Sequence, residues 1–306
     1  MVFLYRWVRE AHATIIYATY DFAPQSPFPT ALHQVATLYR ALREGTHDQA
    51  IGFHASPLVV SGLSAGGNLA VSAMLSLLSP HLLNHAALAS PDAPGHAGPR
   101  GFERSSSSLT DTTKPPGGGL DGSNHGAGSS SSKVSSYDRC GDREEEGRAV
   151  PMPDMMLLIC PVLNLNRSPS PSRVAFCSDT LLPQPLLSAF AKAYDGNSGD
   201  ALAAWSNPLL SPALAPDDSI RRFPLTHIQV GGFDPLLDDS VDFNTRIRRL
   251  GVPGELRIHR TLPHTFFSFP VWHGIPEVQH ALHTSIAWLE DSLWRKAPSG
   301  RVDPDP

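Results

Sequence analysis

Five short apolar runs are spaced along the chain, and between them apolar residues recur at helical intervals. The runs are Thr14-Ile15-Ile16-Tyr17-Ala18, Leu58-Val59-Val60, Met155-Met156-Leu157-Leu158-Ile159-Cys160, Leu225-Thr226-His227-Ile228-Gln229-Val230 and Glu255-Leu256-Arg257-Ile258-His259. Each has the length of a strand and reads as one, with Thr14–Ala18 and the 155–160 run buried. Residues 3–11 read as the end of a helix. Leu32, Val35, Leu38, Tyr39 and Leu42 mark a second over about 30–43, and Ala70, Val71, Ala73, Met74, Leu77 and Leu78 mark a third that ends near Pro80. Further on, residues 180–205 read as a helical excursion above the sheet, with Leu181, Leu182, Leu186, Leu187, Phe190, Ala193 and Trp205 on its apolar side. Helices over 239–250 and about 276–294 follow, the latter carrying Val278, Leu282, Ile286, Leu289 and Leu293. Helix, strand, helix, strand, helix is the order of an α/β protein, a mostly parallel sheet with helices on both faces.

The pattern fails over 89–150. This stretch is Ser, Gly, Pro and Asp, with Ser105-Ser106-Ser107-Ser108, Gly117-Gly118-Gly119 and Ser129-Ser130-Ser131-Ser132, and large aliphatic residues are scarce. Such a segment cannot bury enough surface to offset the entropy of ordering, so it reads as a disordered insertion. It splits one domain into 1–88 and 151–296, and a Pro-rich stretch over 297–306 reads as a loose tail. Arg104 ahead of four serines fits a basophilic kinase site, and a bare flexible linker is the simpler alternative.

Composition narrows the class. The 306 residues are 41% hydrophobic and carry a formal net charge of −5, which gives no reason to expect nucleic acid or an anionic membrane surface as partner. Cys140, Cys160 and Cys177 show neither a pairing logic nor metal spacing, which suits a reducing compartment and free, mostly buried thiols. The apolar start is broken by Arg6, Arg9 and Glu10, and no run approaches the ~18 residues of a membrane span. A cytoplasmic protein is the resulting expectation.

The second run leads into Gly62-Leu63-Ser64-Ala65-Gly66 and then directly into a helix. Strand, sharp turn and helix are the setting of a nucleophile elbow, and a Cβ at Gly62 or Gly66 is expected to collide with the neighbouring strand or helix. A serine hydroxyl needs a base to attack at neutral pH, and the base needs an acid to orient it. The strand at 225–230 runs into Gly231-Gly232-Phe233-Asp234-Pro235, which puts Asp234 where the acid belongs. The strand at 255–259 is followed by Leu262-Pro263-His264, which puts His264 in the last loop of this kind. Asp238 and Asp239 read as caps of the following helix. The spacing of Asp234, Asp238, Asp239 and Asp242 matches no calcium loop, so no metal is expected, and attack by a serine with its base and acid needs no organic cofactor. His227 and His259 lie within strands, and His273 and His280 beyond the loop, none with an acid loop placed to orient it.

Taken together these motifs resemble the hormone-sensitive-lipase-type branch of the α/β-hydrolases. Gly62-Leu63-Ser64-Ala65-Gly66-Gly67-Asn68-Leu69 is similar to that family's elbow. Tyr20-Asp21-Phe22-Ala23-Pro24-Gln25-Ser26-Pro27-Phe28-Pro29 is similar to its tyrosine loop. Asp234-Pro235-Leu236-Leu237-Asp238 and His264-Thr265-Phe266 match its acid and histidine motifs, while the segments 160–173 and 207–212 are similar to the animal lipase. The resemblance covers about 14–88 and 151–292. It implies Ser64 as nucleophile, Asp234 as acid, His264 as base and the Ala65 N–H as oxyanion donor, in a carboxylic-ester hydrolase acting through an acyl-enzyme. The substrates it implies are acylglycerols, other lipid esters or short-chain esters. It also brings in a lipid-droplet or membrane surface as a candidate partner, and a kinase acting on the serine-rich insertion within 104–136.

Two departures qualify this. The family carries His-Gly-Gly-Gly ahead of the tyrosine loop, and its backbone N–H groups form most of the oxyanion hole; this sequence lacks it. The reading that follows is an N-terminally incomplete version of a larger protein, lacking the first strands and with an unprotected sheet edge. Loss of one oxyanion donor costs on the order of 3 kcal/mol. The alternative is thus a catalytically impaired or non-catalytic small-molecule-binding member of the fold, as the plant gibberellin receptors are. Leu63 also stands where the family usually has Asp, which is expected to alter packing around the loop.

Overall fold

The structure is a computed structural model that describes residues 2–83, 150–165, 170–196, 206–268 and 274–294. All of them fall in one unit of the chain, Met1–Pro94 with Ala149–Pro306. The serine-rich insertion, apart from Val150, the tail, Cys140 and His273 lie outside the described residues.

Among the described residues four parallel strands form a sheet in the order β1 (Val59–Leu63), β2 (Met155–Ile159), β3 (Leu225–Phe233) and β4 (Leu256–Pro263). The helices are α1 (Val2–Glu10), α2 (Thr30–Glu44), α3 (Asp48–Ile51), α4 (Ala65–Leu78), α5 (Pro171–Ala175), α6 (Gln184–Tyr194), α7 (Asp217–Ile220), α8 (Leu237–Arg249) and α9 (Pro276–Trp294). A five-residue apolar run such as Met155–Ile159 suits a strand covered on both faces, and every residue of β2 is buried. Its side chains alternate. Met156 and Leu158 join the core under α2, α4 and α8, while Met155, Leu157 and Ile159 join the core under α1 and α9. Helix α4 is apolar nearly all round and buries Gly67–Ser76 and Leu78, as a helix enclosed between sheet and outer helices must.

The parallel sheet with helices on both faces agrees with the reading of the sequence, with two corrections. No strand forms over 14–18, where the chain is irregular and Ile16 and Tyr17 are 40% and 64% exposed. An apolar run becomes a strand only by pairing, and no described strand lies beside it. The helix expected over 180–205 is described only as the shorter Gln184–Tyr194, its second part lying outside the described residues.

Two histidines are built into the sheet in neutral form. His227 is stacked on Trp288 with ring centroids 4.2 Å apart, and its Nδ1 accepts the Glu255 N–H at 3.1 Å, so that nitrogen cannot carry a proton. His259 meets Gln229 Oε1 through Nε2 at 2.9 Å. Burial pushes both imidazoles down from 6.5 to about 4. The unfolded chain therefore takes up protons first on acidification. The stability these rings contribute is full above about 6.5 and is lost as pH falls towards 4, about 2 kcal/mol each after solvent screening. Asp239, raised to about 6 by burial, acts in the opposite sense between 6 and 3.8. Thermal midpoints measured from pH 7.5 to 4.5 should fall through this window, and His259→Gln should flatten the slope.

Candidate active site

Ser64 stands at the end of β1 and directly precedes α4, with φ 56 and ψ −117. A residue with a Cβ adopts that conformation only where its surroundings enforce it. The enforcement is visible. The Ser64 N–H bonds to Ile159 C=O at 2.9 Å, and the Ser64 carbonyl accepts from Gly67 at 2.9 Å and Asn68 at 3.2 Å. Asn68 in turn donates to the carbonyls of Val162 and Leu210, both at 2.9 Å. The turn is tight enough that a Cβ at Gly62 would lie 2.2 Å from Gly66 O, and one at Gly67 2.8 Å from Pro161 Cβ. At Gly66 there is open space, so the crowding expected there falls on Gly67 instead.

His264 arrives from β4, the opposite edge strand of the sheet. The β3–β4 register shifts between Gly231 and Phe233. Here a Cβ on Gly231 would lie 2.2 Å from Leu262 O, and one on Gly232 2.4 Å from Arg260 O. The glycine pair lets the end of β4 fold across β3, and Phe266 and Phe267, both fully buried, anchor the loop beneath. As a result Ser64 Oγ and His264 Nε2 are 2.9 Å apart, and His264 Nδ1 and Asp234 Oδ2 are also 2.9 Å apart. Asp234 is wholly buried, and its second oxygen accepts the Leu236 N–H at 2.8 Å. Three residues that lie up to 200 positions apart in the chain thus form a continuous hydrogen-bonded line. The Ala65 N–H, at the first position of α4, makes no backbone hydrogen bond among the described residues. Neither His227, His259 nor His280 bonds to Ser64.

Sequence reasoning missed two features. Cys160, fully buried at φ 47, has its sulfur within 4.8 Å of ligand atoms of Asp234 and His264. Burial above all, then the nearby Asp234, pushes its thiol pKa up, and the protonated form is a poor metal ligand. The carboxylate and imidazole are meanwhile committed to one another. The second feature is Asp239, which caps nothing. Its Oδ2 accepts from the Leu163 and Asn164 N–H groups at 3.0 and 2.9 Å, and Arg173 Nη2 lies 2.9 and 3.0 Å from its two oxygens. Asp238 likewise accepts the Ser172 N–H at 2.7 Å, and α8 has no side-chain cap. The first turn of α8 points these acids at the segment after β2 rather than at its own backbone. The available signal was Arg173, fourteen positions after the end of β2. Cys177, in contrast to the buried thiols expected, is exposed.

A buried acid, an imidazole and a serine on a sharp strand–helix turn, all at one end of a parallel sheet, define an α/β-hydrolase architecture. The comparisons agree. A family described by its alpha/beta hydrolase fold matches residues 2–114 and 137–268, and the chain belongs to that family. Hormone-sensitive lipase of Bos taurus is 50% identical over 62 residues, which is 20% of this chain and 8% of that lipase. An esterase of Acinetobacter venetianus is 23% identical over 282 residues, covering 91% of this chain and 64% of the esterase. The chain therefore spans only part of the length of these relatives. Among solved structures, carboxyl esterase 2 of Tuber melanosporum is similar at a TM-score of 0.68 and 18% identity, over 95% of this chain and 72% of that one. A thermostable esterase of Pseudomonas putida follows at 0.67 and 18%, over 96% and 69%. At such identities these structures speak for the fold. Among the described residues no helix is long and apolar enough to cross a membrane.

Proposed function

We propose that the protein is a serine carboxylic-ester hydrolase working through an acyl-enzyme. The observation that carries this is the line Ser64 Oγ–His264–Asp234, with both contacts at 2.9 Å. In this reading His264 Nε2 takes the Ser64 proton as Oγ attacks the ester carbonyl, and Asp234 holds the imidazole in the tautomer that leaves Nε2 free. The imidazolium then protonates the leaving alcohol. The same ring activates a water that releases the acid and restores Ser64. The Ala65 N–H, at the N-terminus of α4, faces the developing oxyanion. The identity to hormone-sensitive lipase over 62 residues supports acylglycerols and other lipid esters as the substrate class, with short-chain esters as the reporters of choice.

A fluorophosphonate ester probe tests the reading directly. It should form a covalent adduct that peptide mapping places on Ser64, and Ser64→Ala should remove it. A folded wild-type protein that stays unlabelled sinks the proposal.

A further inference from the structure

The Asp234 carboxylate is wholly buried, and among the described residues two donors hydrogen-bond to it, His264 Nδ1 at 2.9 Å and the Leu236 N–H at 2.8 Å. A carboxylate has room for about four, and a buried one is costly to leave short of donors. Beside it lies a nucleophilic side chain that ester cleavage leaves unused. Cys160 follows β2 directly, is wholly buried, and has its sulfur within 4.8 Å of ligand atoms of both Asp234 and His264.

Two features mark this cysteine as more than filling. Its backbone is held at φ 47, with its N–H bonded to Gln229 C=O at 2.8 Å; glycine adopts such a conformation freely, a residue with a Cβ only under constraint. Its sulfur is also met by the backbone N–H groups of Gly231, three residues before the acid, and of Thr265, directly after the histidine. Those contacts occupy the acceptor side of the sulfur and leave its single hydrogen for another partner. Burial and the neighbouring Asp234 keep the thiol protonated, so that hydrogen is present to be donated.

We propose that Cys160 is a positioning residue whose S–H donates to the Asp234 carboxylate and holds it in line with His264 Nδ1. This role presupposes Asp234 as the acid of the relay. It would tie three loops together at one sulfur. The acid loop is reached through Asp234 and Gly231, and the histidine loop through Thr265. The elbow is reached along the chain, because Val162, two residues on, donates its N–H to the Ser64 carbonyl at 3.3 Å. A thiol is a weak donor, and a charged acceptor is what makes its hydrogen bond strong enough to orient a neighbour. A cysteine that only filled the core would direct its hydrogen at no particular acceptor.

Infrared spectroscopy tests the bond without reference to ester hydrolysis, because the S–H stretch falls in a window free of other protein bands and drops in frequency when the hydrogen is donated. Subtracting the spectrum of Cys160→Ser from that of the 306-residue protein leaves the Cys160 band alone. That band should lie below the band of a thiol in an apolar solvent. In an Asp234→Asn protein, measured against its own Cys160→Ser counterpart, it should rise, because a neutral amide accepts more weakly than a carboxylate. With a p-nitrophenyl ester as substrate, Cys160→Ala should lower kcat about tenfold with KM little changed, and Cys160→Ser, which keeps a donor, should lose less. A band at the frequency of an unbonded thiol, or one that Asp234→Asn leaves in place, overturns the proposal. Full kcat in Cys160→Ala overturns it as well. If the fluorophosphonate probe leaves Ser64 unlabelled, the hydrolase reading fails, while the S–H band still decides whether Cys160 holds Asp234.

Discussion

Replacing His264 by alanine is expected to lower kcat for a short-chain p-nitrophenyl ester by as much as about 10⁶-fold, the scale of losing the base from a comparable serine relay. Among the described residues the imidazole is the base hydrogen-bonded to Ser64, with Nε2 2.9 Å from Oγ, while His227 and His259 bond elsewhere. The members of such a relay act as a unit, so Ser64→Ala combined with His264→Ala should be no slower than either alone. Asp234→Asn should be milder, at about 10⁴-fold, because it leaves the ring in place and disturbs its tautomer. Steady-state rates corrected for uncatalysed hydrolysis, with a circular dichroism spectrum confirming the fold, decide the matter. Additive losses in the double variant would show that the two residues do not share one step.

The second large effect concerns stability. Arg173→Met should cost about 3–5 kcal/mol, measured from urea midpoints, because it strands the Asp239 carboxylate in the interior. Both side chains are nearly inaccessible, 6% and 5% exposed, so water cannot take over the role of the guanidinium. Adding Asp239→Asn should recover much of the loss. A neutral amide oxygen can still accept the Leu163 and Asn164 N–H groups and carries no charge to be stranded. The effect should also reach the site, since the Val162 N–H, one residue before that pair, bonds to the Ser64 carbonyl at 3.3 Å.

The parts of this molecule that could be read in the sequence are those in which chemistry and backbone geometry coincide. Gly62-Leu63-Ser64 announced both a turn and a hydroxyl, and Asp234 and His264 were placed by the strands that precede them. The structure brings these three together. Less legible were features that depend on pairing between distant segments. Thr14–Ala18 has the composition of a strand, yet composition does not supply a neighbour, and the segment stays irregular. Asp238 and Asp239 occupy positions where acids commonly cap a helix, and nothing local signalled that Ser172 and Arg173 would claim them. The crowding at Gly67 rather than Gly66 depends on Pro161, a contact made across the sheet.

The backbone angle at Ser64 has a consequence for how durability and chemistry compete in this molecule. Glycine adopts φ 56 with no penalty, whereas a residue with a Cβ holds such a conformation at a cost of about 1–3 kcal/mol. The hydrogen bonds of the Ser64 backbone hold the turn in place, and the side chain adds nothing to the core because it reaches out to His264. A chain selected for robustness alone would relax here first, by giving up a single hydroxymethyl group. Cys160 at φ 47 and Thr265 at φ 53 share that kind of backbone, so the conflict between lasting and reacting is concentrated in the turns that carry Ser64 and His264.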